Sequence, residues 1–514
     1  MLSTSPTAVI VGAGIGGIAT AARLARSGYD VTVLEKNAAP GGRCSQIVRD
    51  GHRFDIGPTL LLMPEVFAET YASLGERMED HLDLRRLDPT YRIHFDDGMK
   101  LALSADMNAM QSQLEAIEPG SFGGLLRYMV EGHEHYHVSL ERFVGRNFYS
   151  YLDYFSPQNL PLLFKLKALV KHYDNVGNYF HDPRLKAAFT FQNMYLGLSP
   201  YDAPATYSLL QYTELSDGVW FPMGGMYRII ESLVTIAKKN GVRFVYNAPV
   251  KRIEVEGQRA TAVILQNGAR YEADVIVANA DLPYVYDNLL PDKAEANRLD
   301  RMKYTCSAIM FYWGVDRTCP ELGMHNVFLS GDYRASFDRI FKENTLPDQP
   351  SFYVHAPTRV DPSAAPANED TLMVLVPSGH LDERAAQDWS ALQERARSSV
   401  LERLSALGVT DLEKHLKFEI AYTPRNWMNR YNLAKGAAFG LSHNFRQVGY
   451  LRPHNRHSQY RNLYFTGSST HPGSGLPMAL LSARLTVERL QQEMGVPQPT
   501  TELRPAMAWN LAGR

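Results

Sequence analysis

The chain has 514 residues, which allows about two to four domains. Hydrophobic residues make up 45% and charged residues 21%, which excludes a disordered, collagen-like or disulfide-scaffold protein. Lys and Arg number 53 against 55 Asp and Glu, a formal charge of -2 that leaves no basic footprint for nucleic acid, and Cys44, Cys306 and Cys319 are too few and scattered for a disulfide framework or zinc ribbon.

The first residues lack a basic n-region and run straight into an apolar strand, so the start is read as part of the fold and the protein as cytoplasmic. No 18-residue apolar run predicts a membrane span. Thr7–Val11 is a β-branched run ended by Gly12-Ala13-Gly14-Ile15-Gly16-Gly17. Helical periodicity over Ile18–Ser27, a stop at Gly28 and a second strand, Asp30–Leu34, complete a βαβ unit with buried parallel strands. Gly12 permits the tight turn, Gly14 lets the backbone approach a pyrophosphate, and Gly17 lets the helix pack closely on the sheet. The helix N-terminus then faces phosphate charge. Glu35 ends the second strand, 23 positions after Gly12, where a carboxylate accepts hydrogen bonds from ribose hydroxyls. Strand, glycines, helix and carboxylate in register predict an ADP-containing cofactor. Pro40-Gly41-Gly42-Arg43 and Phe54-Asp55-Ile56-Gly57-Pro58-Thr59 follow. Their glycines would let the chain pass close to a flat ligand, and Arg43 would neutralise phosphate charge.

Further along, Tyr91–Phe95 and Lys100–Leu103 flank Asp96-Asp97-Gly98, a hairpin signal. From about Ser121 to Gln211 the pattern is helical and strongly aromatic. His133, His135 and His137 look like a cluster, but a helix would place His133 and His137 on one face and His135 elsewhere, so no metal site is expected. Asp153 lies among aromatic residues, where desolvation would raise its pKa and suit it to proton transfer. A helix-surface or N-cap aspartate is the plainer reading. In Leu160–Tyr173 the apolar residues Leu162, Leu163, Leu166, Leu169, Val170 and Tyr173 share one side of a helical wheel. Lys165, Lys167, Lys171 and His172 fall outside it. That is the pattern of an interfacial helix, and equally of an amphipathic core helix.

Pro249–Ala278 reads as a meander turning at Glu256-Gly257 and Asn267-Gly268, followed by the buried strand Val275–Ala278. The last unit is the strand Leu463–Thr466, a glycine-rich turn and a helix from Leu476 to Gln492, whose first amides would face the pyrimidine end of a flavin ring. A polar, Pro-containing tail over 496–514 is expected to be mobile.

The combination GAGIGG, LEKNAAPGGRCSQ, FDIGPTLL and NLYFTGSSTHPGSGLPMALLSARLT resembles the bacterial and fungal phytoene desaturases, within the amine-oxidase-like flavoprotein superfamily. The segments FQNMYLGLSPYDAPATYSLLQYTE, GVWFPMGGMYRIIESL and RYNLAKGAAFGLSHNFRQVGYLRPHNRH extend the likeness from about Ala8 to Leu490. The resemblance implies an α/β chain. It would comprise a Rossmann-like FAD-binding domain of the amine-oxidase/glutathione-reductase type with a β-meander, and an inserted α+β substrate domain. Residues 1–75, 222–285 and 450–495 would form the first, and 76–221 and 286–449 the second. FAD would be held by Gly12, Gly14, Gly17, Glu35, Lys36, Gly42, Arg43, Gly57, Pro58 and Thr59, with backbone around Val250, Gly467, Leu476, Pro477 and Met478. The family also tends to carry an aspartate comparable to Asp153. The substrate would be a C40 polyene, phytoene, dehydrogenated stepwise towards lycopene, with 160–173 touching the membrane surface as a peripheral attachment. No second G-x-G-x-x-G follows a strand and no C-x-x-C occurs, so electrons would pass to oxygen or a quinone. Alternatives are a desaturase, oxidase or isomerase of another carotenoid or shorter isoprenoid precursor, an amine-oxidase-type flavin oxidase, or a non-catalytic prenyl binder like the GDP-dissociation inhibitors. Glu35, Gly41-Gly42-Arg43 and the THPGSGLP segment argue against the last.

Overall fold

A computed structural model describes residues 5–385 and 387–495. The expected tail at 496–514 lies outside the described residues.

Five short strands form one parallel sheet in the order 463–465, 275–278, 7–11, 30–34 and 243–245. The central strand, Thr7–Val11, pairs Val9 with Ile276 on one side and with Thr32 on the other. Both its faces are covered, as its unbroken apolar run requires. The helix Ile15–Arg26 starts three residues earlier than its periodicity suggests, because Ile15-Gly16-Gly17 is already its first turn. It packs against Tyr227–Lys239 and Leu476–Met494. The meander is present as Val250–Glu256, Arg259–Leu265 and Arg270–Glu272.

A second, seven-stranded sheet runs in the order 416–422, 307–315, 370–378, 352–355, 325–328, 91–94 and 100–103. All its pairings are antiparallel except that of Asn326–Phe328 with Arg92–His94. The predicted hairpin at 91–103 is therefore its edge. Strand Ser307–Val315 is buried at every position. Period-two alternation sends Ile309, Phe311 and Trp313 into a core under the helix Trp389–Leu407. Ala308 and Met310 face the other way, onto a cavity between the two sheets.

One expected element is corrected. Leu160–Tyr173 is not a continuous helix but two short ones, Leu160–Lys165 and His172–Val176. Lys167 between them takes a left-handed conformation (φ 49°), which ends the first helix. Leu166 and Ala168 turn inward to the cavity. The lysines are not free for headgroups: Lys165 pairs with Glu134 at 2.5 Å, Lys167 with Glu131, and Lys171 with Asp202 at 3.5 Å. What the segment exposes instead is Phe164 (74%) and Leu169 (69%), near Leu152 (77%) in sequence. No helix among the described residues is long and apolar enough to cross a membrane.

Candidate functional site

The site begins where the strands of the parallel sheet end. Gly12 leaves the first strand at φ +100°, and a Cβ there would lie 2.9 Å from the Asn279 carbonyl. Gly14 caps the helix Ile15–Arg26 without any side-chain cap, so its first amides are left for a ligand. At Gly17 a Cβ would lie 2.2 Å from the Gly12 carbonyl, so helix and strand pack at backbone contact. The Pro40–Arg43 loop is sewn to this turn, with Gly41 N donating to Ala13 O at 2.8 Å. Gly467, after the last strand, donates its N–H to Ser482 Oγ at 3.1 Å. The helix Leu476–Met494 starts beyond it behind Gly475, again without a side-chain cap. Two helix N-termini thus open onto one cavity.

Asn279 joins these turns. Its Nδ2 donates to Gly12 O at 3.3 Å, and its side chain fills the space a Cβ would need at Gly14 and Gly467. Glu35 is buried, with Oε2 accepting from Ala13 N and Oε1 from Asn37 N, both at 2.8 Å. Each oxygen retains a second lone pair towards the cavity it lines. Arg43 donates to Ala438 O at 2.9 Å and makes no ion pair among the described residues. Burial lowers its pKa while Asp281 nearby opposes the shift. Its remaining donors suit an anion. Asp281 accepts from Ser469 Oγ at 2.5 Å and Ala434 N at 2.9 Å, and burial raises its pKa.

Gly57, Pro58, Thr59, Val250, Leu476, Pro477 and Met478 all line the same cavity. A Cβ on Gly57 would strike the Arg43 carbonyl at 2.6 Å, and Thr59 Oγ1 bonds Tyr353 OH at 2.8 Å. Gly42 lies against Gly14, 3.6 Å from its Cα by the same test. Lys36 lines the rim, but its ammonium is engaged by Asn429 O at 2.9 Å and Asn432 Oδ1 at 2.7 Å. The residues fit FAD: amide-lined turns where Cβ atoms are excluded, a carboxylate with spare acceptors, and an arginine without a counter-ion.

From the glycine cradle the cavity, about 650 Å3, runs between the sheets. Its charged lining residues among those described, Glu35, Lys36, Arg43 and Asp281, gather at the cradle, with His443 and His471 at the 467–475 loop. Beyond them the lining is mostly apolar and aromatic, exemplified by Leu209, Leu210, Tyr333, Phe337 and Ile340, with scattered hydroxyls such as Thr206, Thr213 and Ser336. Behind this wall, fully buried Glu214 accepts from Tyr91 OH at 3.3 Å and Gln192 Nε2 at 3.2 Å. Burial without a cation pushes its carboxyl up to about 8.

Asp153 is not brought to the site. It does not line the cavity, and its carboxylate accepts from Arg146 Nη2 at 2.6 Å and Tyr149 N at 3.3 Å. The helix it was read on is four residues long, Tyr151–Tyr154, and the aromatic neighbours in sequence do not enclose it. The histidines have ordinary partners: His133 Nδ1 meets Tyr212 OH at 2.9 Å, and His135 Nδ1 meets Ser208 Oγ at 2.7 Å. No group of three or more His, Cys, Asp or Glu among the described residues is arranged to hold a metal. Sequence reasoning missed Asn279 and Asp281, although both follow directly on the buried strand Val275–Ala278. The carboxyl ends of such parallel strands are where ligands bind. It also missed Glu214, which ends the segment FQNMYLGLSPYDAPATYSLLQYTE but belongs to no pattern of catalytic residues.

The family described as flavin containing amine oxidoreductase matches residues 15–491 of this chain. A zeta-carotene-forming phytoene desaturase of Myxococcus xanthus is 48% identical over 484 residues, 94% of this chain and 93% of that protein. A phytoene desaturase of Phycomyces blakesleeanus is 45% identical over 498 residues, 95% of this chain and 85% of that protein. Among solved structures, putrescine oxidase bound to putrescine shares the fold, with a TM-score of 0.62 at 16% identity over 95% of this chain and 99% of that one.

Proposed function

Since the chain belongs to the flavin containing amine oxidoreductase family, we propose that it is an FAD-dependent carotenoid desaturase that dehydrogenates phytoene stepwise towards lycopene. The observation that carries the substrate reading is the polarity of the cavity, charged at the glycine cradle and uncharged and mostly apolar beyond it. A hydrocarbon chain offers no hydrogen-bonding group, so an apolar tunnel is the recognition available to it.

Bound FAD supplies a two-electron acceptor able to take a hydride from a saturated carbon. In this reading, segments 1–75, 222–285 and 450–495 hold the cofactor, and 76–221 and 286–449 hold the substrate. The amides at the start of Ile15–Arg26 bind the pyrophosphate, and Glu35 orients the ribose through its free lone pairs. Arg43 neutralises phosphate charge. The N–H groups of Leu476 and Met478, with Pro477 between them contributing none, would stabilise negative charge on the ring of bound FAD. The apolar wall excludes water from the reacting carbons. Glu214 keeps its proton at neutral pH and leaves the wall behind Tyr91 and Tyr195 uncharged.

Peripheral contact with a membrane is part of the proposal. The segment that sends Leu163, Leu166 and Ala168 to the cavity exposes Phe164 and Leu169 on its outside. A polyene dissolved in lipid would meet one apolar face from the bilayer and the other from the cavity. Oxygen or a membrane quinone would accept the electrons.

The test is to incubate FAD-loaded protein with phytoene-containing liposomes and chromatograph the products with visible detection. Each added double bond moves absorption to longer wavelength, so coloured products that require FAD would establish the reaction and count its steps. Unchanged phytoene, from protein that carries FAD and sediments with the liposomes, would reject this substrate. In the same sedimentation assay, a Phe164→Glu/Leu169→Glu double variant should remain in the supernatant; retention equal to wild type would reject this contact surface.

A further inference from the structure

Arg452 lies in the RPHNRH segment and is among the largest fully buried side chains, 1% exposed. All its hydrogen bonds go to main-chain carbonyls. Nε donates to Thr470 O at 2.9 Å. Nη1 donates to Ser442 O at 3.0 Å and Gln447 O at 3.1 Å, and Nη2 to Ser468 O at 2.6 Å and Leu441 O at 3.4 Å. No carboxylate forms an ion pair with it among the described residues. Besides Tyr207, the acid that acts on it is Asp281, whose oxygens are taken up by Ser469 Oγ and Ala434 N. Burial lowers the guanidinium pKa to about 10, so the charge persists at neutral pH.

A buried charge without a counter-ion is costly unless dipoles solvate it, and here carbonyl dipoles do so. Two of those carbonyls, of Ser468 and Thr470, belong to the loop that leads from Gly467 to the helix at Leu476 and lines the cavity. In a trans peptide the C=O and N–H point in opposite directions. With Ser468 O drawn to Arg452, the Ser469 N–H is turned away from it, and it has no partner among the described residues. Arg452 thus does two things at once: it places a positive charge behind the loop and aims the loop's dipoles with their positive ends away from itself.

We propose that Arg452 is a positioning residue whose charge, acting through the 467–475 loop and partly offset by Asp281, stabilises negative charge on the cofactor ring bound at that end of the cavity. The inference rests on the FAD reading and adds to it a determinant of how readily the bound flavin is reduced. Fields of this kind act strongly in a site shielded from water.

The experiment measures flavin content, two-electron reduction potential and affinity for sulfite, whose adduct makes the bound flavin anionic, in wild type, Arg452→Met, Arg452→Lys and Asp281→Asn. Arg452→Met should weaken sulfite binding at least tenfold. It should also shift the oxidised-to-reduced ratio at fixed poise at least tenfold towards oxidised, about 30 mV for a two-electron couple. Arg452→Lys, which keeps the charge but not the five-fold contact, should recover most of that shift even where its melting temperature is lowered. Asp281→Asn should move both quantities the opposite way. Sulfite affinity and potential within twofold of wild type in flavin-loaded Arg452→Met would overturn the proposal and leave Arg452 a scaffold residue. If Arg452→Met does not fold, an unchanged Asp281→Asn overturns it equally. A wild-type protein that takes up no FAD would remove the reading beneath it.

Discussion

The two ends of the cavity are built from different parts of the amino acid. At the cradle, most of the ligand-facing surface is main chain, glycine turns and two uncapped helix starts in loops held by Asn279 and Arg452, with the Glu35 and Arg43 side chains set among them. At the far end it is side chain: Leu209 and Leu210 project from the helix Ser208–Ser216, and Phe337 and Ile340 from the helix Tyr333–Phe341. A backbone surface tolerates no added atom but accepts any side chain that points elsewhere. A side-chain surface tolerates volume-conserving exchange but not a new charge. The contrast can be broken or sharpened by substitution at each end.

The largest effect is expected at Gly17. A Cβ there meets the Gly12 carbonyl at 2.2 Å, whereas a Cβ on Gly28, at the end of the same βα unit, meets nothing within 4 Å. Gly17→Ala should cost about 2–3 kcal/mol or more through overpacking of rigid backbone, and should abolish FAD retention on gel filtration. Gly28→Ala should cost only about 1 kcal/mol for its left-handed conformation and keep the yellow cofactor. Equal FAD content in the two variants would break the claim that the cradle is a backbone surface.

Glu35→Ala comes next. It removes the acceptor of two backbone N–H groups as well as of the ribose, so FAD affinity measured by flavin fluorescence should fall about 10–100-fold. Unchanged affinity would mean that the first motif is not a nucleotide site.

This asymmetry also explains what could be read in the chain beforehand. Gly12, Gly14, Gly17, Gly42 and Glu35 are legible because a backbone surface demands residue types that the rest of a domain does not. The parallel strands and the meander are legible because their periods and turn residues, such as Gly257 and Gly268 at positive φ, are local. Phe337 and Ile340 were invisible as site residues, since an apolar residue lining a tunnel has the same pattern as one filling a core. The same ambiguity misled the wheel drawn over Leu160–Tyr173. A period of 3.6 was present in the letters, but Lys167 breaks the helix, and the inward residues Leu166 and Ala168 are two positions apart rather than four. Asp153 failed for a related reason: aromatic neighbours in sequence imply desolvation only if they fold over the carboxylate, and here Arg146 reaches it first.

At the far end, Leu210→Asp should leave FAD affinity within about twofold while lowering turnover at least about tenfold. Each phytoene would then displace water from a carboxylate instead of from a methyl-lined wall. Turnover equal to wild type would show that substrate does not pass Leu210. Loss of FAD would show that the two ends are not separable.

The smallest effect on cofactor and turnover, and the most discriminating across pH, belongs to Glu214. Its carboxyl is raised from 4.5 to about 8 by burial, so the folded protein holds a proton that the unfolded chain releases. The stability from this group is fully present below about pH 4.5 and is lost as pH rises to 8, because over that range the unfolded chain ionises freely while the site among Tyr91, Tyr195 and Gln192 resists a buried carboxylate. Denaturant melts of wild type and Glu214→Gln should therefore converge in acid and separate as pH rises to 8. The glutamine variant should gain on the order of 1–3 kcal/mol relative to wild type, with its FAD content unchanged. Parallel stability curves would mean that water reaches the carboxylate. The wall behind Tyr91 and Tyr195 would then be polar, and the far end of the cavity would lose the feature that sets it apart from the cradle.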